Sequence, residues 1–210
     1  LIVTSAVYRQ TSSVTDAAAN TAVAADSGNR LLWRMNRRRL EAEEIRDAIL
    51  SVSGCLSTAM GGPGYYLFVL EKPEHSPHYE YHLFDPEDRA SHRRSVYRFI
   101  ARSQPDPFMT TLDCADSSQS TPLRNETLTS LQALSLLNNQ FNLVMSRRFA
   151  QRLASERVTL PEKIELAMQL VAGRLPTTSE REQLESYPET HGIENLCRVL
   201  FTLSEFVYLD

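Results

Sequence analysis

The fold is decided by one segment in the first third of the chain, LEAEEIRDAILSVSGCL, which runs from Leu40 to Leu56. Its apolar side chains recur about every 3.6 residues, the period of an α-helix with one buried stripe. The stripe consists of Leu40, Ile45, Ile49, Val52 and Leu56. Gly54 and the run GGPG at 61–64 then supply residues that end helices and start turns. The segment predicts a core helix over about 40–56.

Two further apolar stripes follow in the C-terminal half, and each has a recognisable start. Thr129 and Gln132 have the spacing of a capping box, in which each side chain accepts a hydrogen bond from the other residue's backbone N–H. The stripe that follows this box extends to Phe149. Pro161 suits the first turn of a helix, and Gly173 suits its end. These signals predict two more amphipathic helices.

The final stripe carries the largest apolar surface. Thr177 begins a short helix toward Tyr187, and Gly192 separates that helix from the segment IENLCRVLFTLSEFV at 193–207. The stripe of this segment is formed by Leu196, Leu200, Leu203 and Phe206. Because a terminal segment frays unless it is docked, so much apolar surface predicts one long terminal helix packed into the core.

The middle of the chain has a different pattern. Three short runs are rich in β-branched and aromatic residues and are separated by proline and aspartate. They span Tyr65–Leu70, Tyr79–Phe84 and Arg94–Arg102. The sequence therefore predicts a mainly α fold, a single domain over 1–210, with a small antiparallel β insertion at about 65–102. We expect the C-terminal helices to pack on the helix at 40–56.

Composition excludes several classes of protein. Of the 210 residues, 42% are hydrophobic, enough to build a core and to exclude disorder over the whole chain. A formal net charge of −4 gives no reason to expect nucleic-acid binding. No run approaches 18 apolar residues, so we expect no transmembrane segment. The chain starts at Leu1 without a methionine, and we expect it to be a piece of a longer polypeptide.

Histidine clustering is the most unusual chemical feature of the sequence. Four of the five histidines are His75, His78, His82 and His92, interleaved with Glu74, Glu80, Asp85 and Asp88. Imidazole and carboxylate together suit zinc, copper or iron, so these histidines are candidate ligands of a transition metal. Their spacing matches no standard zinc signature. The alternative is that they are polar loop residues that bond carbonyl and carboxylate oxygens.

A dense basic run provides a second candidate site. Arg34, Arg37, Arg38 and Arg39 stand beside Trp33, and guanidinium groups fit phosphate or sulfate bidentately. Acidic residues follow within two turns, so a helix start held by internal ion pairs is the alternative. The run His92-Arg93-Arg94 is a weaker case of the same pattern.

The cysteines predict no particular redox compartment. Cys55, Cys114 and Cys197 are odd in number and form no CxxC or CxxCH motif. We interpret them as buried thiols that behave as small hydrophobic residues. Asp113 and Asp116 flank Cys114 and should raise the pKa of its thiol. The catalytic alternative is a pair formed by Cys114 with His92 or His191.

Long stretches of the chain resemble the planctomycete PSD family. The stretches are LIVTSAVYRQTS (1–12), NRLLWRMNRRRLEAEEIRDAILSVSG (29–54), MGGPG (60–64), HRRSVYRFIARSQPDPFMTTLDCAD (92–116), PLRNETLTSLQALSLLNN (122–139) and HGIENLCRVLFTLSEFVYLD (191–210). The resemblance covers the whole chain. It departs from the family near the end, where Ser204 stands before Glu205-Phe206 and an asparagine is usual.

The resemblance implies a domain of unknown function, typically C-terminal in large proteins that also carry cytochrome-c-type domains. It implies that this chain is the C-terminal portion of the domain, that its partners are other domains of the same polypeptide, and that any haem c is bound on another domain. It also implies export to the periplasm or the cell exterior. It carries over no catalytic residue.

Two functional hypotheses follow. The leading one is an accessory, structural portion of an exported multidomain protein, linked to redox or polymer-processing chemistry sited elsewhere. The alternative is a metal-dependent enzyme or a module that binds an anionic polysaccharide. In that case the His-rich insertion would hold a transition metal, and Arg34–Arg39 or Arg93-Arg94 would hold the anionic sugar.

Overall fold

The computed structural model describes residues 1–12, 17–72 and 75–209. Its helices are α1 (Ala17–Ala25), α2 (Ala42–Val52), α3 (Pro107–Thr111), α4 (Ser130–Asn138), α5 (Gln140–Glu156), α6 (Leu160–Ala172), α7 (Thr178–His191), α8 (Ile193–Leu200) and α9 (Ser204–Val207). Its strands are β1 (Arg38–Arg39), β2 (Val69–Glu71), β3 (His78–Glu80) and β4 (Tyr208–Leu209). Short 3-10 turns lie at Ile2–Thr4, Tyr81–Leu83, Arg89–Ser91 and Ser95–Tyr97. The mainly α fold class is confirmed. Glu74, one of the interleaved carboxylates, lies outside the described residues.

In the described part of the β insertion, β2 and β3 form an antiparallel hairpin. β2 pairs with β3, with Val69 opposite Glu80 and Glu71 opposite His78. The prediction of a third strand over Arg94–Arg102 is wrong, because residues 95–97 form a 3-10 turn. The carboxylate of Asp47 explains the difference. It accepts from the backbone N–H of Ser95 at 2.8 Å and from its hydroxyl at 2.7 Å, so this N–H needs no strand partner.

The helix predicted over 40–56 is confirmed, but it is shorter and spans Ala42–Val52. Glu41 and Glu44 form a capping box that fixes the start of α2. Gly54 adopts φ +74°, a backbone conformation that other residues rarely take, and the helix has ended at Val52. A Cβ at Gly54 would lie 3.2 Å from Cδ of Arg152 on α5, so glycine also allows this close approach.

The capping signals of the C-terminal half are confirmed. Thr129 and Gln132 exchange both bonds of the box at the start of α4. The apolar stripe that follows this box is divided between two helices, α4 and α5. The break lies at Asn139, whose backbone is extended and whose side chain caps α5 by accepting from the N–H of Phe141. Helix α6 ends at Ala172, and Gly173 follows it in the left-handed conformation, so the predicted end is confirmed. Helix α7 continues past Tyr187 to His191.

The prediction of a single terminal helix is wrong. Helix α8 ends at Leu200, Leu203 is extended, and α9 begins at Ser204. This break places the rings of Phe201 and Phe206 5.5 Å apart, with both rings buried. The chain then forms β4, which pairs antiparallel with β1, with Arg38 opposite Leu209 and Arg39 opposite Tyr208. This ladder was not predicted.

The core lies between α2, α5, α6 and α8. The expectation that the C-terminal helices pack on α2 holds for α5, whereas α8 makes its main contacts with α5 and α7. The fully buried side chains include Ile45, Ile49, Leu50, Met145, Phe149, Leu153, Ile164, Met168 and Phe201. Among the helices of the described ranges, none is long and apolar enough to cross a bilayer.

Candidate functional site

The four histidines predicted as metal ligands lie in different environments. His75, His78 and His82 are exposed, and Nδ1 of His82 is 3.2 Å from a carboxylate oxygen of Glu80. His92 is buried. His78 lies on β3, which ends at Glu80, whereas His82 lies in the 3-10 turn that follows, so the two histidines do not share a strand. Within residues 1–12, 17–72 and 75–209, no group of three or more His, Cys, Asp or Glu side chains is placed to hold a metal ion. The metal site remains a prediction from the sequence.

The basic run is held by internal contacts. The guanidinium of Arg38 binds the carboxylate of Glu44 through two bonds of 2.9 and 3.0 Å. Arg39 is buried, and its Nη1 donates to Asp113 at 2.6 Å. Arg34 lies over the ring of Trp33, 5.5 Å from its centroid. The contact of Arg38 with Glu44 matches the interpretation of a helix start held by local ion pairs, whereas Arg39 pairs with Asp113, which is distant in sequence.

Arg93 is also held by contacts within the chain. Its guanidinium donates to the backbone carbonyls of Pro63 and Gly61 and lies 3.9 Å from the ring centroid of Tyr97. Tyr97 in turn accepts a hydrogen bond at Oη from the N–H of Gly61, at 2.8 Å. This pair therefore fixes the glycine-rich turn at 61–64 against the insertion.

A cavity of about 310 Å³ lies between the β insertion and helices α2, α3 and α5. Its lining combines aromatic rings with a small number of polar groups, a composition typical of ligand sites. The lining residues are Arg46, Leu67, Tyr81, His82, Phe84, Pro86, Asp106, Pro107, Phe108, Asn139, Gln140 and Phe141. His82 is the predicted histidine that contributes to this wall.

Arg46 projects from α2 into the wall of this cavity and is 1% exposed. Its guanidinium lies between two rings, 5.1 Å from the centroid of Tyr65 and 5.3 Å from that of Phe141. Nη2 donates to the carbonyl of Ser91 at 2.7 Å, and Nη1 donates to that of Arg93 at 3.2 Å. Burial lowers the pKa of Arg46, and the carbonyls and rings compensate for lost water. Arg46 therefore joins the insertion to the helical core.

Asp106 is the buried carboxyl group of the cavity. Its Oδ1 accepts from the N–H of Phe108 at 2.9 Å and caps α3. Burial raises the pKa of Asp106, while the charge of Arg98 acts in the opposite direction. Tyr81 lines the cavity beside it, and burial raises the pKa of this phenol to about 12. The wall thus holds a protonated phenol next to a carboxyl group and a guanidinium.

A second cavity of about 440 Å³ adjoins the first, since Tyr81 and Asp106 line both. Arg98, Arg102 and Cys114 lie in its wall. Among the described residues, the buried Nε of Arg98 has no hydrogen-bond partner. An unpaired buried N–H is costly, and this Nε has almost no accessible surface, so a ligand in the cavity does not reach it in this arrangement.

The predicted rise in the pKa of Cys114 is confirmed, to about 11. Burial is the largest cause, and the charge of Glu43 is the second. The thiol donates to Glu43 at 3.4 Å. The carboxylate that raises the pKa of Cys114 is therefore that of Glu43 on α2, which is distant in sequence. The sequence had instead predicted this effect from the flanking Asp113 and Asp116.

The sequence did not predict the proximity of Cys55 and His92. His92 lowers the pKa of the Cys55 thiol, whose Sγ lies 3.8 Å from the carbonyl oxygen of Ser53, and Nε2 of His92 lies 2.9 Å from the carbonyl oxygen of Pro86. The Cys–His alternative had considered Cys114 instead. No local pattern signals this pair, because the insertion between the two residues folds back to join them. For the same reason, the sequence did not predict the cavity residues Arg46, Asp106 and Arg98.

Comparison with known proteins identifies one family. A model of the PSD1 family, described as a protein of unknown function (DUF1553), matches residues 1–188. No curated protein matches the chain, and no solved structure matches it. The matched range includes every residue that lines the two cavities.

Proposed function

Since the chain belongs to the PSD1 family of proteins of unknown function, we propose that it is an accessory, non-catalytic portion of a larger exported planctomycete protein. In this proposal the chain packs against other domains of the same polypeptide, and cytochrome-c-type domains carry the haem c. The resemblance of residues 1–210 to the planctomycete PSD family motivates the export, the cytochrome-c context and the planctomycete origin.

A row of exposed leucines at α4 carries the proposal. Leu128, Leu131 and Leu134 are 83, 63 and 56% exposed. The last two lie three residues apart on α4, on the same side of the helix, while Gln132 and Leu136 face the core. Adjacent exposed leucines on an ordered helix are typical of a surface that another domain covers.

Paired polar substitutions test this surface. Leu131→Gln with Leu134→Gln should lower the melting temperature of the full-length gene product, because the leucines lose their apolar partner there. The same pair should leave the isolated chain unchanged. Val158→Gln, at a single residue that is 88% exposed, is the matched control. Equal melting temperatures of the parent and the double variant in the full-length product would contradict the proposal.

The full-length gene product also tests the export and cytochrome components. A signal peptide and a CxxCH motif upstream of Leu1 would support both, since CxxCH is the attachment motif of haem c. A cytosolic product that consists of a single domain would contradict them.

A second candidate function rests on the guanidinium-bearing side chains of Arg98 and Arg102, which line the second cavity. The two adjoining cavities present guanidinium and phenol donors beside aromatic rings, a combination suited to the carboxylate or sulfate and the ring faces of an anionic sugar. Under this hypothesis the chain binds an anionic polysaccharide for the larger protein.

Calorimetric titration with uronate and sulfated oligosaccharides tests the second candidate. Arg98→Gln should abolish binding of the oligosaccharide that the parent chain binds. Arg181→Gln is the matched control, because Arg181 forms a surface ion pair with Glu165 and lines neither cavity. Absence of heat with every oligosaccharide, or equal affinity of the Arg98→Gln variant at an unchanged melting temperature, would contradict sugar binding.

A further inference from the structure

Asp106 stands where the two adjoining cavities meet, because it lines both of them. The residue is 7% exposed, and its two carboxylate oxygens are in different situations. Oδ1 caps α3 by accepting from the N–H of Phe108 at 2.9 Å and from that of Met109 at 3.4 Å. Oδ2 accepts no hydrogen bond within the described ranges, yet it keeps accessible surface, so it opens onto the cavities.

The first cavity is lined mostly by apolar side chains, among them several aromatic rings. Phe84, Phe108 and Phe141 are each half-buried, so part of each ring is open. The hydroxyl of Tyr81 donates to the carbonyl of Gln104 at 2.8 Å, which fixes this ring in the wall that both cavities share. Ring faces beside a polar acceptor match a ligand that has apolar faces and hydroxyl groups at its edge, such as a pyranose sugar.

The charged groups of the first cavity favour a neutral sugar. Arg46 supplies a positive charge, but both of its Nη atoms donate to backbone carbonyls and two rings cover the guanidinium. Oδ2 of Asp106 is therefore the open charged atom at the junction, and in its ionised form a carboxylate only accepts hydrogen bonds. A sugar hydroxyl can donate to Oδ2, whereas a sugar carboxylate at the same position would meet a like charge.

The second cavity contains two guanidinium groups without carboxylate partners. Arg98 and Arg102 both line it, and in the part of the chain that the structure describes neither forms a salt bridge. The carboxylate of Asp116 also lines this cavity, but it accepts from the N–H of Ser118 and from the side chain of Gln119 in its own loop. Because guanidinium groups bind carboxylate and sulfate bidentately, this cavity suits an anionic sugar.

We propose that the two cavities are adjoining subsites for one oligosaccharide, with a neutral sugar in the first and an anionic sugar in the second. Asp106 determines the specificity, because Oδ2 accepts from a hydroxyl of the neutral sugar and repels a carboxylate there. Arg98 and Arg102 bind the carboxylate or sulfate of the next sugar. The cavity volumes of about 310 and 440 Å³ lie in the range of small-molecule sites. This inference rests on the second candidate function, sugar binding, and adds that the two kinds of sugar alternate.

Calorimetric titration of the whole chain with four tetrasaccharide probes tests the proposal. Hyaluronan tetrasaccharide alternates a uronate with a neutral N-acetylhexosamine, and κ-carrageenan tetrasaccharide alternates a sulfated galactose with a neutral anhydrogalactose. Tetragalacturonate carries a carboxylate on every sugar, and cellotetraose carries none. We expect an alternating probe to bind about tenfold more tightly than tetragalacturonate and cellotetraose. Which of the two alternating probes binds distinguishes carboxylate from sulfate in the second cavity.

Asp106→Asn isolates the proposed role of Oδ2, because asparagine can still cap α3 through its carbonyl oxygen while an amide replaces the second oxygen. The variant should bind the alternating probe about tenfold more weakly and tetragalacturonate more tightly, since the like charge is removed. A merely structural role would weaken both. Asp88→Asn is the matched control and should bind like the parent, because Asp88 caps the 3-10 turn at Arg89–Ser91 and lines neither cavity.

Arg102→Gln supplies a variant that leaves buried groups untouched, since Arg102 is exposed. It should weaken binding of the alternating probe about tenfold at an unchanged melting temperature. Tetragalacturonate that binds the parent as tightly as the alternating probes would overturn the proposal but leave anionic-sugar binding standing. Absence of heat with all four probes, or equal binding of cellotetraose, would overturn both. An Asp106→Asn variant that melts like the parent and keeps the parent's affinities would also overturn the proposal.

Discussion

Asp113, which is partly exposed, forms an ion pair with the buried Arg39, 74 positions away in the chain, with Oδ2 of Asp113 2.6 Å from Nη1 of Arg39. The same carboxylate accepts from the N–H of Thr127 and from Nε2 of Gln132, each at 2.9 Å. It therefore joins β1, the loop after α3 and the first turn of α4. Asp113 adopts φ +64°, which aspartate tolerates better than most residues.

Substitution Asp113→Asn should destabilise the chain by about 3 kcal/mol, because it leaves the guanidinium of Arg39 buried without its counter-charge. Asparagine keeps the size of the side chain and tolerates the same φ, so the change isolates the charge. Urea denaturation, followed by circular dichroism, measures the free energy of unfolding of the parent and the variant.

Asp116→Asn is the control for this substitution. Asp116 lies three residues later in the same loop, is solvent-exposed, and accepts from the N–H of Ser118 at 2.9 Å. Its variant should melt close to the parent. Equal stabilities of the two variants would show that the ion pair with Arg39 adds nothing.

The stability that Asp113 contributes should depend on pH. Burial acts to raise its pKa, but the hydrogen bonds from Thr127, Arg39 and Gln132 outweigh burial, so the pKa is lowered in the folded chain. A carboxylate of this kind contributes its full stability above the unfolded pKa of about 3.9, and that contribution is lost as the pH falls through the folded pKa.

The difference in unfolding free energy between the parent and Asp113→Asn should therefore be constant from about pH 7 to about pH 5 and should shrink below about pH 4. Urea denaturation of both proteins across this range measures it. A difference that stays constant down to about pH 2 would contradict the assignment of a lowered pKa to Asp113.

The sequence predicted those helix ends that are fixed by residues close to them in the chain. Thr129 with Gln132 and Gly173 mark helix ends because the groups that they satisfy lie within one turn. The hairpin of the insertion was predicted only in part: β2 and β3 each overlap the predicted runs Tyr65–Leu70 and Tyr79–Phe84 by two residues, and Tyr81–Leu83 forms a 3-10 turn. These signals need no knowledge of the tertiary structure.

The missed features depend on contacts between distant segments. Ser95 forms a 3-10 turn because Asp47 supplies its hydrogen-bond acceptor, and no property of the run 94–102 reveals that. Likewise, α8 stops at Leu200 so that Phe201 and Phe206 both reach the core. Such a break does not change the spacing of the apolar residues over 193–207, so the spacing does not reveal it. The pair Cys55–His92 belongs to this class, which is why residue spacing did not predict it.

Elemental analysis of the purified chain decides the metal prediction. Because His75, His78 and His82 are exposed and Nε2 of His92 is bonded to the carbonyl of Pro86, we expect no stoichiometric metal and no change in melting on chelation. One equivalent of zinc, copper or iron, lost in the double variant His78→Ala with His82→Ala, would instead establish a metal site in the insertion.

Leu200→Ala should produce a large loss of stability, because Leu200 is 1% exposed at the end of α8, which packs on α5. Truncation of a leucine at such a site costs about 2–5 kcal/mol through lost apolar contact and the cavity left behind. This is a large part of the roughly 5–15 kcal/mol that stabilises a typical domain. Thermal unfolding followed by circular dichroism measures the change.

Glu194→Ala on the same helix is the control, since Glu194 is exposed and its removal should alter the melting temperature only slightly. Deletion of residues 193–210 extends the test, because it removes α8, α9 and β4 and exposes the apolar face of α5. We expect an insoluble product. A truncated chain that stays soluble and melts cooperatively at the parent temperature would show that this terminal segment does not stabilise the core and serves instead as a surface for a neighbouring domain.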